Sequence, residues 1–236
     1  MQTTVSGPDI RGHHAHEVRL EDTFDFLNTD DLENGSKVER LPTLGDALSW
    51  FVDRGVIHGE GADRLRIQAN SDPGSAERDL ARIRAVRAAL REVADAIVEH
   101  RPPQGGSLDT VNRALHARQV IELVPSFDGC VAVDHRHVGD PIDDALARLC
   151  DPLVQELTGG DPERIKICDN DTCRWVFYDT SRTGRRRWCD MATCGNRAKA
   201  ARHRAKSKAA TGGEPVDAAT TAVGETITVP EIRFHN

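Results

Sequence analysis

The segment Cys168–Lys208 reads CDNDTCRWVFYDTSRTGRRRWCDMATCGNRAKAARHRAKSK, and it decides how the rest of the chain is interpreted. It holds two C-x4-C pairs, Cys168 with Cys173 and Cys189 with Cys194, on either side of an insert rich in aromatic residues and arginine. Four thiolates in two close pairs match the donor set of a closed, tetrahedral structural zinc site. We therefore expect the four cysteines to hold one structural Zn²⁺ in a small, ribbon-like module.

Two other uses of four cysteines have to be weighed. Two disulfides would suit a secreted domain, but the opening residues MQTTVSGPDIRGHHAHEVRL contain no apolar signal segment. The chain also lacks the run of about 20 apolar residues that a membrane span needs. We expect a reduced, cytoplasmic protein with no membrane partner. An iron–sulfur cluster with four thiolate ligands stays open, because the cysteine spacing alone does not exclude it.

Positive charge is concentrated around this segment. Residues 164–208 hold 13 Lys and Arg against 4 Asp and Glu, whereas residues 1–163 hold 17 against 30, and the whole chain has a net charge of −7. Such an asymmetry indicates a polyanionic partner, because neutralised phosphates release counterions. The alternative is a basic surface that docks onto the acidic part of the same protein.

Arginine suits bidentate contacts with phosphate and guanine edges. The run that follows Cys194 is rich in Ala, Arg and Lys, which predicts a basic helix without an apolar stripe. Such a helix suits a phosphate backbone or a major groove. The predicted nucleic-acid contacts from this composition are Arg174, Arg182, Arg185, Arg186, Arg187, Lys199, Arg202, Arg204, Lys206 and Lys208.

The aromatic residues of the module have two interpretations. A module of roughly 40 residues makes little core alone, so aromatics are expected to pack around the metal, Trp188 in particular. If Trp175 or Tyr178 is exposed, stacking on unpaired bases becomes the expectation, which favours RNA. Asp179 and Ser181 are expected to cap a turn or the start of a helix.

The rest of the chain predicts an α+β fold that is mainly α-helical. Apolar stripes with helical spacing predict a short element from Leu20, a Thr43-capped helix, a long helix over 76–100, and helices near 108–115 and 142–157. Cys150 lies on the last stripe and is expected in the core. Two β-branched runs around PSFDG, residues 125–129, predict one β-hairpin. We expect a flexible leader (1–18), a mainly helical domain (19–160), the zinc module with its basic helix (161–208) and a disordered tail (209–236).

The cysteine motif resembles a known family. C-x4-C-x-W-x-F-x-D-x-S-R followed by R-R-W-C-x-M-x-x-C-G-N-R, over Cys168–Arg197, is similar to the CGNR zinc finger. FDFLNT at 24–29 is similar to the domain that precedes this finger. The resemblance implies a bacterial, stress-linked transcription regulator in which the four cysteines bind zinc. It also implies that Asn196 and Arg197 either reach nucleic acid or orient the thiolates through hydrogen bonds.

Three functions follow as hypotheses. The first is a DNA-binding transcription regulator whose helical domain dimerises or senses a small-molecule ligand. The second is an RNA-binding or ribosome-associated protein, and the third is a protein-interaction adaptor with a purely structural zinc. An enzyme is disfavoured, because a catalytic zinc keeps an open coordination position that four cysteines close.

Overall fold

The computed structural model describes residues 18–33, 35–116, 120–125, 131–136 and 140–211. The helices in these ranges are α1 (Leu20–Leu27), α2 (Leu44–Asp53), α3 (Gly59–Ser71), α4 (Pro73–Val98), α5 (Gly105–His116), α6 (Pro141–Gly159) and α7 (Asn196–Thr211). The strands are β1 (Asp30–Glu33), β2 (Ser36–Glu39), β3 (Val120–Pro125), β4 (Val131–Arg136), β5 (Ile165–Ile167) and β6 (Val176–Tyr178). The predicted mainly helical α+β class is therefore confirmed. The predicted leader and tail fall almost wholly on residues 1–17 and 212–236, outside the described residues.

Three of the predicted helices begin at residues whose side chains cap them. Thr43 and Asp46 form a reciprocal capping box at the start of α2, with hydrogen bonds of 3.2 and 3.1 Å to each other's backbone N–H groups. Asp72 and Asp140 each accept a backbone N–H two residues further on, at 3.0 and 2.9 Å. Each of these two aspartates precedes a proline that opens its helix, a position where no backbone N–H is needed.

The helices α1, α2, α4 and α6 share one apolar core, which supplies the main stabilisation of the fold. Cys150 is fully buried in it, so the prediction of a core role is confirmed, and burial raises the pKa of its thiol to about 12. The ring centroids of Phe26 and Phe51 lie 6.0 Å apart at the centre. The largest fully buried side chains of these four helices are Phe26, Leu27, Leu48, Phe51, Ile83, Leu90, Ile142, Leu146, Leu149 and Leu153.

The helix α3 and the β1–β2 hairpin were not predicted from the sequence. The helix α3 buries only Gly61, Ala62 and Leu65, so its sequence carries little amphipathic signal. Strands β1 and β2 form an antiparallel hairpin from the polar segments DDLE and SKVE, in which Asp30 pairs with Glu39. The hairpin predicted around PSFDG is confirmed as β3 and β4, paired from Val120–Arg136 to Pro125–Val131. Its turn, residues 126–130, lies outside the described residues.

Strands β5 and β6 connect the cysteine module to the helical core. They pair antiparallel, and Ile165, Ile167 and Val176 lie in the same apolar core as the helices. The chain forms two compact units, Met1–Arg197 and Ala198–Asn236, and the second unit contains most of α7. The domain boundary expected between residues 160 and 161 stays a prediction. Within the described ranges, every helix is too short or too polar to cross a membrane.

Candidate metal centre and basic surface

The four motif cysteines converge on one point. Their sulfur atoms all lie within 4.8 Å of one another, with Cys173 Sγ to Cys189 Sγ at 3.7 Å and Cys189 Sγ to Cys194 Sγ at 3.8 Å. A tetrahedral centre with Zn–S bonds of about 2.3 Å places its sulfurs about 3.8 Å apart. Cys168 and Cys194 are buried, and the other two are half-buried. The donor set and spacing therefore fit a closed four-thiolate metal site.

The first cysteine pair is held by the turn that joins β5 to β6. Cys168 directly follows β5, and its N–H donates to the Trp175 carbonyl at 2.8 Å, which continues the strand pairing. The N–H of Cys173 donates to the Asn170 carbonyl at 2.8 Å. Arg174 takes a positive φ of 61°, an uncommon conformation for a residue with a side chain. The turn thereby directs Cys168 and Cys173, which have four residues between them, at the same metal position.

The second pair is shaped by a π-helical turn over Met191–Gly195. Asp190 caps this turn: its Oδ1 accepts the Thr193 N–H at 2.7 Å and the Thr193 hydroxyl at 2.9 Å. The Gly195 N–H donates to the Asp190 carbonyl at 3.0 Å. The turn ends at Asn196, whose side chain donates to the Ala192 carbonyl at 2.9 Å, so in this structure Asn196 supports the turn.

Asn170 is a site residue that the sequence did not reveal. Its Nδ2 lies 3.3 Å from Cys194 Sγ and donates to that sulfur. Its Oδ1 accepts the Thr172 N–H at 3.2 Å and the Thr172 hydroxyl at 2.9 Å, which fixes the orientation of the amide. Such hydrogen bonds orient metal ligands and stabilise their thiolate form. The sequence signal is weak, because the bonded cysteine lies 24 residues further on.

Two of the four thiols, those of Cys173 and Cys189, have raised pKa values when no cation is present. Burial, with repulsion from Cys168, raises the pKa of Cys173 to about 11, and burial followed by repulsion from neighbouring cysteines raises the pKa of Cys189 further. Burial also acts on Cys194, but hydrogen bonds from Asn170 and the other thiols outweigh it and lower its pKa. The sulfurs become anionic ligands when a cation offsets the cost of burial, so metal binding must release protons.

A buried carboxylate organises the loop that carries the arginines. Asp179 is fully buried, and it accepts the backbone N–H groups of Ser181 at 2.9 Å and Arg186 at 2.7 Å. The capping role predicted for Asp179 is therefore confirmed. Burial raises the pKa of this carboxyl, but the hydrogen bonds from Ser181 and Arg186 outweigh it and hold the pKa below its usual value. Arg164 donates to the carbonyls of Asp179 and Ser181, at 2.7 and 2.8 Å, from the other side.

The structure separates the predicted arginines into two groups. Arg186 is half-buried: its guanidinium donates to the carbonyls of Trp188 and Cys189 and lies 5.0 Å from the Phe177 ring centroid. Arg187 is exposed but pairs with Asp169 and lies over the Trp188 ring. The other predicted arginines of the first unit have exposed side chains, and these are Arg174, Arg182, Arg185 and Arg197.

The second unit contributes the predicted basic helix. From Asn196 to Thr211 the helix α7 contains no acidic residue, and its exposed Lys and Arg side chains give it no apolar stripe. The predicted basic contacts in α7 are the exposed Lys199, Arg202, Arg204 and Lys206, together with Lys208. This helix confirms the sequence expectation of a basic helix after the last cysteine.

Trp188 and Tyr178 pack against other parts of the protein, whereas Trp175 is partly exposed. Trp188 packs beside the cysteines and Phe177, so its expected structural role is confirmed. The Tyr178 hydroxyl donates to Glu156 at 2.8 Å, and its ring packs on the helical core. Trp175 is 39% exposed, and its indole N–H donates to Asp31 at 2.6 Å. A partly exposed indole at this place leaves base stacking open.

The FDFLNT segment and the two residues before it, Asp22 and Thr23, support the fold through polar contacts. Asp22 caps α1 by accepting the Arg19 N–H at 3.0 Å, and Thr23 donates to the Leu149 carbonyl at 3.0 Å. The side-chain amide of Asn28 donates to the Val176 carbonyl and accepts the Val176 N–H, both at 2.9 Å. Asn28 thereby occupies the hydrogen-bonding edge of β6 as a neighbouring strand would.

Comparison with known families agrees with this architecture. Residues 164–207 match the family model described as "CGNR zinc finger". Together with the four-cysteine cluster, the match defines a protein of the zinc-finger class. Residues 23–160, more than half of the chain, match the family described as "Putative stress-induced transcription regulator", and the chain belongs to this family. None of the curated proteins that were compared with the chain matches it.

Proposed function

We propose that the protein is a zinc-dependent, DNA-binding transcription regulator. In this proposal Cys168, Cys173, Cys189 and Cys194 hold one structural Zn²⁺, and the exposed arginines of the finger and the basic side chains of α7 contact DNA. The observation that carries the proposal is the four-sulfur cluster, with sulfurs within 4.8 Å of one another, in a segment of net charge +9. Zinc supplies the crosslink that a short, loop-rich segment needs in order to hold a fixed shape.

The charge of the finger supports a phosphate-binding role. Arg182 and Arg185 are exposed, and they lie in a loop whose backbone is fixed by the buried Asp179 carboxylate. A loop held in one conformation loses less entropy when it binds than a mobile loop does. Arg186 is engaged by the finger's own carbonyls, so we assign it to the support of the loop. Arg182 and Arg185 are the finger arginines that we expect to reach phosphate.

Binding of the zinc-loaded full-length protein to fluorescent duplex DNA, single-stranded DNA and RNA tests the proposal. Titrations run over about 50–200 mM salt, where each phosphate contact contributes about 0.9 to the slope of log K against log salt. The double variant R182A/R185A should weaken duplex binding and reduce that slope by up to about 1.8. The variant R64A/R113A removes two exposed arginines from α3 and α5 and is the matched control. It should bind like the wild type.

The outcomes separate the hypotheses. Steep salt dependence on duplex DNA that R182A/R185A reduces supports the regulator. Equal losses in both double variants would mean that total charge, and not the finger loop, drives binding. Absence of binding to all three nucleic acids contradicts the proposal and leaves the adaptor, in which zinc only maintains the fold.

RNA is the second candidate target, and the exposure of Trp175 favours it. An aromatic ring that stacks on a base contributes about 1–3 kcal/mol per base. If the target is single-stranded, W175A should lower affinity for RNA or single-stranded DNA far more than affinity for duplex DNA, which changes only through the lost bond to Asp31. The opposite pattern, with duplex preferred and W175A silent, excludes this candidate.

The helical domain is proposed to sense a small-molecule ligand or to dimerise. A groove of about 600 Å³ lies between the β1–β2 hairpin and α4, and its lining includes Lys37, Glu39, Arg84 and Arg87. Both charge signs line it, which suits a polar ligand. A thermal-shift screen of small polar metabolites tests the ligand, and sedimentation tests the dimer. We propose no catalytic role, because four thiolates would fill the coordination shell of the metal.

A further inference from the structure

Three side chains of the helical domain reach the same short segment of the finger. Asn28 hydrogen-bonds both backbone groups of Val176 at 2.9 Å, and Asp31 accepts the Trp175 indole N–H at 2.6 Å. Arg91, on α4, donates to the Arg174 carbonyl at 3.0 Å. We call Asn28, Asp31 and Arg91 the clamp residues. Asn28 follows α1, Asp31 lies in β1 and Arg91 lies on α4. All three contact residues 174–176, which directly follow the ligand Cys173.

The clamped segment controls the positions of two cysteines. Val176 pairs with Ile167, the residue before Cys168, and the Cys168 N–H donates to the Trp175 carbonyl at 2.8 Å. Displacement of residues 174–176 would therefore move Cys168 through the strand pairing and Cys173 through the chain. The tip of the β1–β2 hairpin is also close, because a methyl group on Gly35 would lie 3.9 Å from Thr172 Cγ2.

The two Asn28 bonds to Val176 are buried, the Asp31 bond to Trp175 is partly buried, and the Arg91 bond lies at the surface. Asn28 is 7% exposed, and Asp31 is 5% exposed and also accepts Arg40 at 3.0 Å. If β6 moved away, the amide of Asn28 and the carboxylate of Asp31 would lose buried partners, which is costly for polar groups. The helical domain and the docked finger therefore stabilise each other.

We propose that Asn28 is the positioning residue that couples the helical domain to the metal site: it fixes β6, and thereby holds Cys168 and Cys173 in ligand geometry. The inference rests on the proposed zinc site. Coupling of this kind is reciprocal. Metal binding then stabilises α1 and α4, and any ligand that shifts the β1–β2 hairpin changes the metal affinity and the shape of the finger.

The test compares N28A with T23V in the full-length protein. Thr23 lies on α1, the helix that ends just before Asn28, and it donates to the Leu149 carbonyl of α6. T23V therefore removes a buried hydrogen bond of the helical domain without touching the finger. Zinc affinity is measured by competition with a chromophoric chelator, and site geometry by the absorption spectrum of the Co²⁺-substituted protein. N28A should lose roughly tenfold or more in zinc affinity and show altered Co²⁺ bands. T23V should keep both near wild type.

The variant R91Q tests the same coupling if N28A does not fold. R91Q removes the bond to the Arg174 carbonyl from the surface of α4, and it should show a smaller loss in the same direction. Hydrogen exchange supplies an independent readout: chelation of the metal should speed exchange in α1 and α4 peptides of the wild type.

The results that overturn the inference differ from those that overturn the function. Wild-type zinc affinity and Co²⁺ spectra in both N28A and R91Q refute the coupling and leave the zinc site intact. An equal loss in T23V also refutes it, because general destabilisation would then explain the effect. A wild-type protein that binds neither zinc nor Co²⁺ refutes the proposed function itself.

Discussion

Removal of the buried Asp179 carboxylate tests how the arginine loop is held. In D179A the backbone N–H groups of Ser181 and Arg186 lose their acceptor, which lies at 2.9 and 2.7 Å in the wild type. A buried donor left without a partner costs about 1–3 kcal/mol. Two donors near the lower end of that range give a loss of about 2–4 kcal/mol in the free energy of unfolding. For a chain of this size the melting temperature should then fall by roughly 5–15 °C.

The direction in which D179A changes DNA affinity distinguishes an effect of charge from an effect of loop conformation. D179A removes one negative charge from the finger, so Coulomb attraction alone predicts tighter DNA binding. Loss of the loop conformation predicts weaker binding, and this is the result that we expect. D169A is the matched control, because Asp169 is an exposed acidic residue of the finger that pairs with Arg187. An exposed pair contributes little to stability, so D169A should melt near the wild type and bind DNA at least as tightly.

The pH dependence supplies a further check on Asp179. Its folded-state pKa lies below the ordinary value of 3.8, because the hydrogen bonds from Ser181 and Arg186 outweigh burial. The stabilisation is therefore complete above the unfolded-state pKa and is lost as the pH falls through the lower folded-state value. The melting difference between wild type and D179A should be constant from neutral pH to about pH 5 and should shrink only in stronger acid. Equal melting of the two proteins at neutral pH, or DNA binding by D179A as tight as by D169A, would refute the reasoning.

Three further predictions follow from the described contacts. F51A removes a fully buried ring from the helical core, so the free energy of unfolding in urea should fall by about 3–5 kcal/mol. A loss below about 1 kcal/mol would contradict the described packing of Phe51. G184A places a side chain on a residue with φ of 61°, so the free energy of unfolding should fall by about 1–2 kcal/mol in calorimetry. Metal analysis should find the zinc content unchanged. Zinc affinity should fall at least about tenfold per pH unit below neutrality, because burial raises the pKa of Cys173 to about 11 and binding must release protons. A flat pH profile in chelator competition would exclude thiolate ligation.

The helices other than α3 could be predicted because each of them carries its own local signal. The capping pair Thr43 and Asp46 and the apolar stripe of α4 are visible within a few residues of sequence. The β1–β2 hairpin was missed because its strands are polar, although the Asn34–Gly35 dipeptide is a typical two-residue turn and was the available signal. Gly35 indeed has a φ of 83°.

The details of the site could be predicted only in part. The cysteine spacing indicates four ligands, but it does not indicate that Asn170 donates to Cys194, because the partners are far apart in sequence. Composition treats Arg185 and Arg186 alike, whereas the structure exposes the first and engages the second with backbone carbonyls. Sequence reports how much charge a segment holds, and the fold decides which of those charges remain available.

The two family matches meet at residues 160–164, yet the contacts that hold the molecule together cross that point. Asn28 lies in the first match and Val176 in the second, and their backbone-mimicking pair is buried. Ile165 and Ile167, from the second match, lie in the apolar core formed by the first. The finger therefore obtains from the helical domain the core that its own few residues cannot supply. A structural change in either segment can therefore reach the other through these buried contacts.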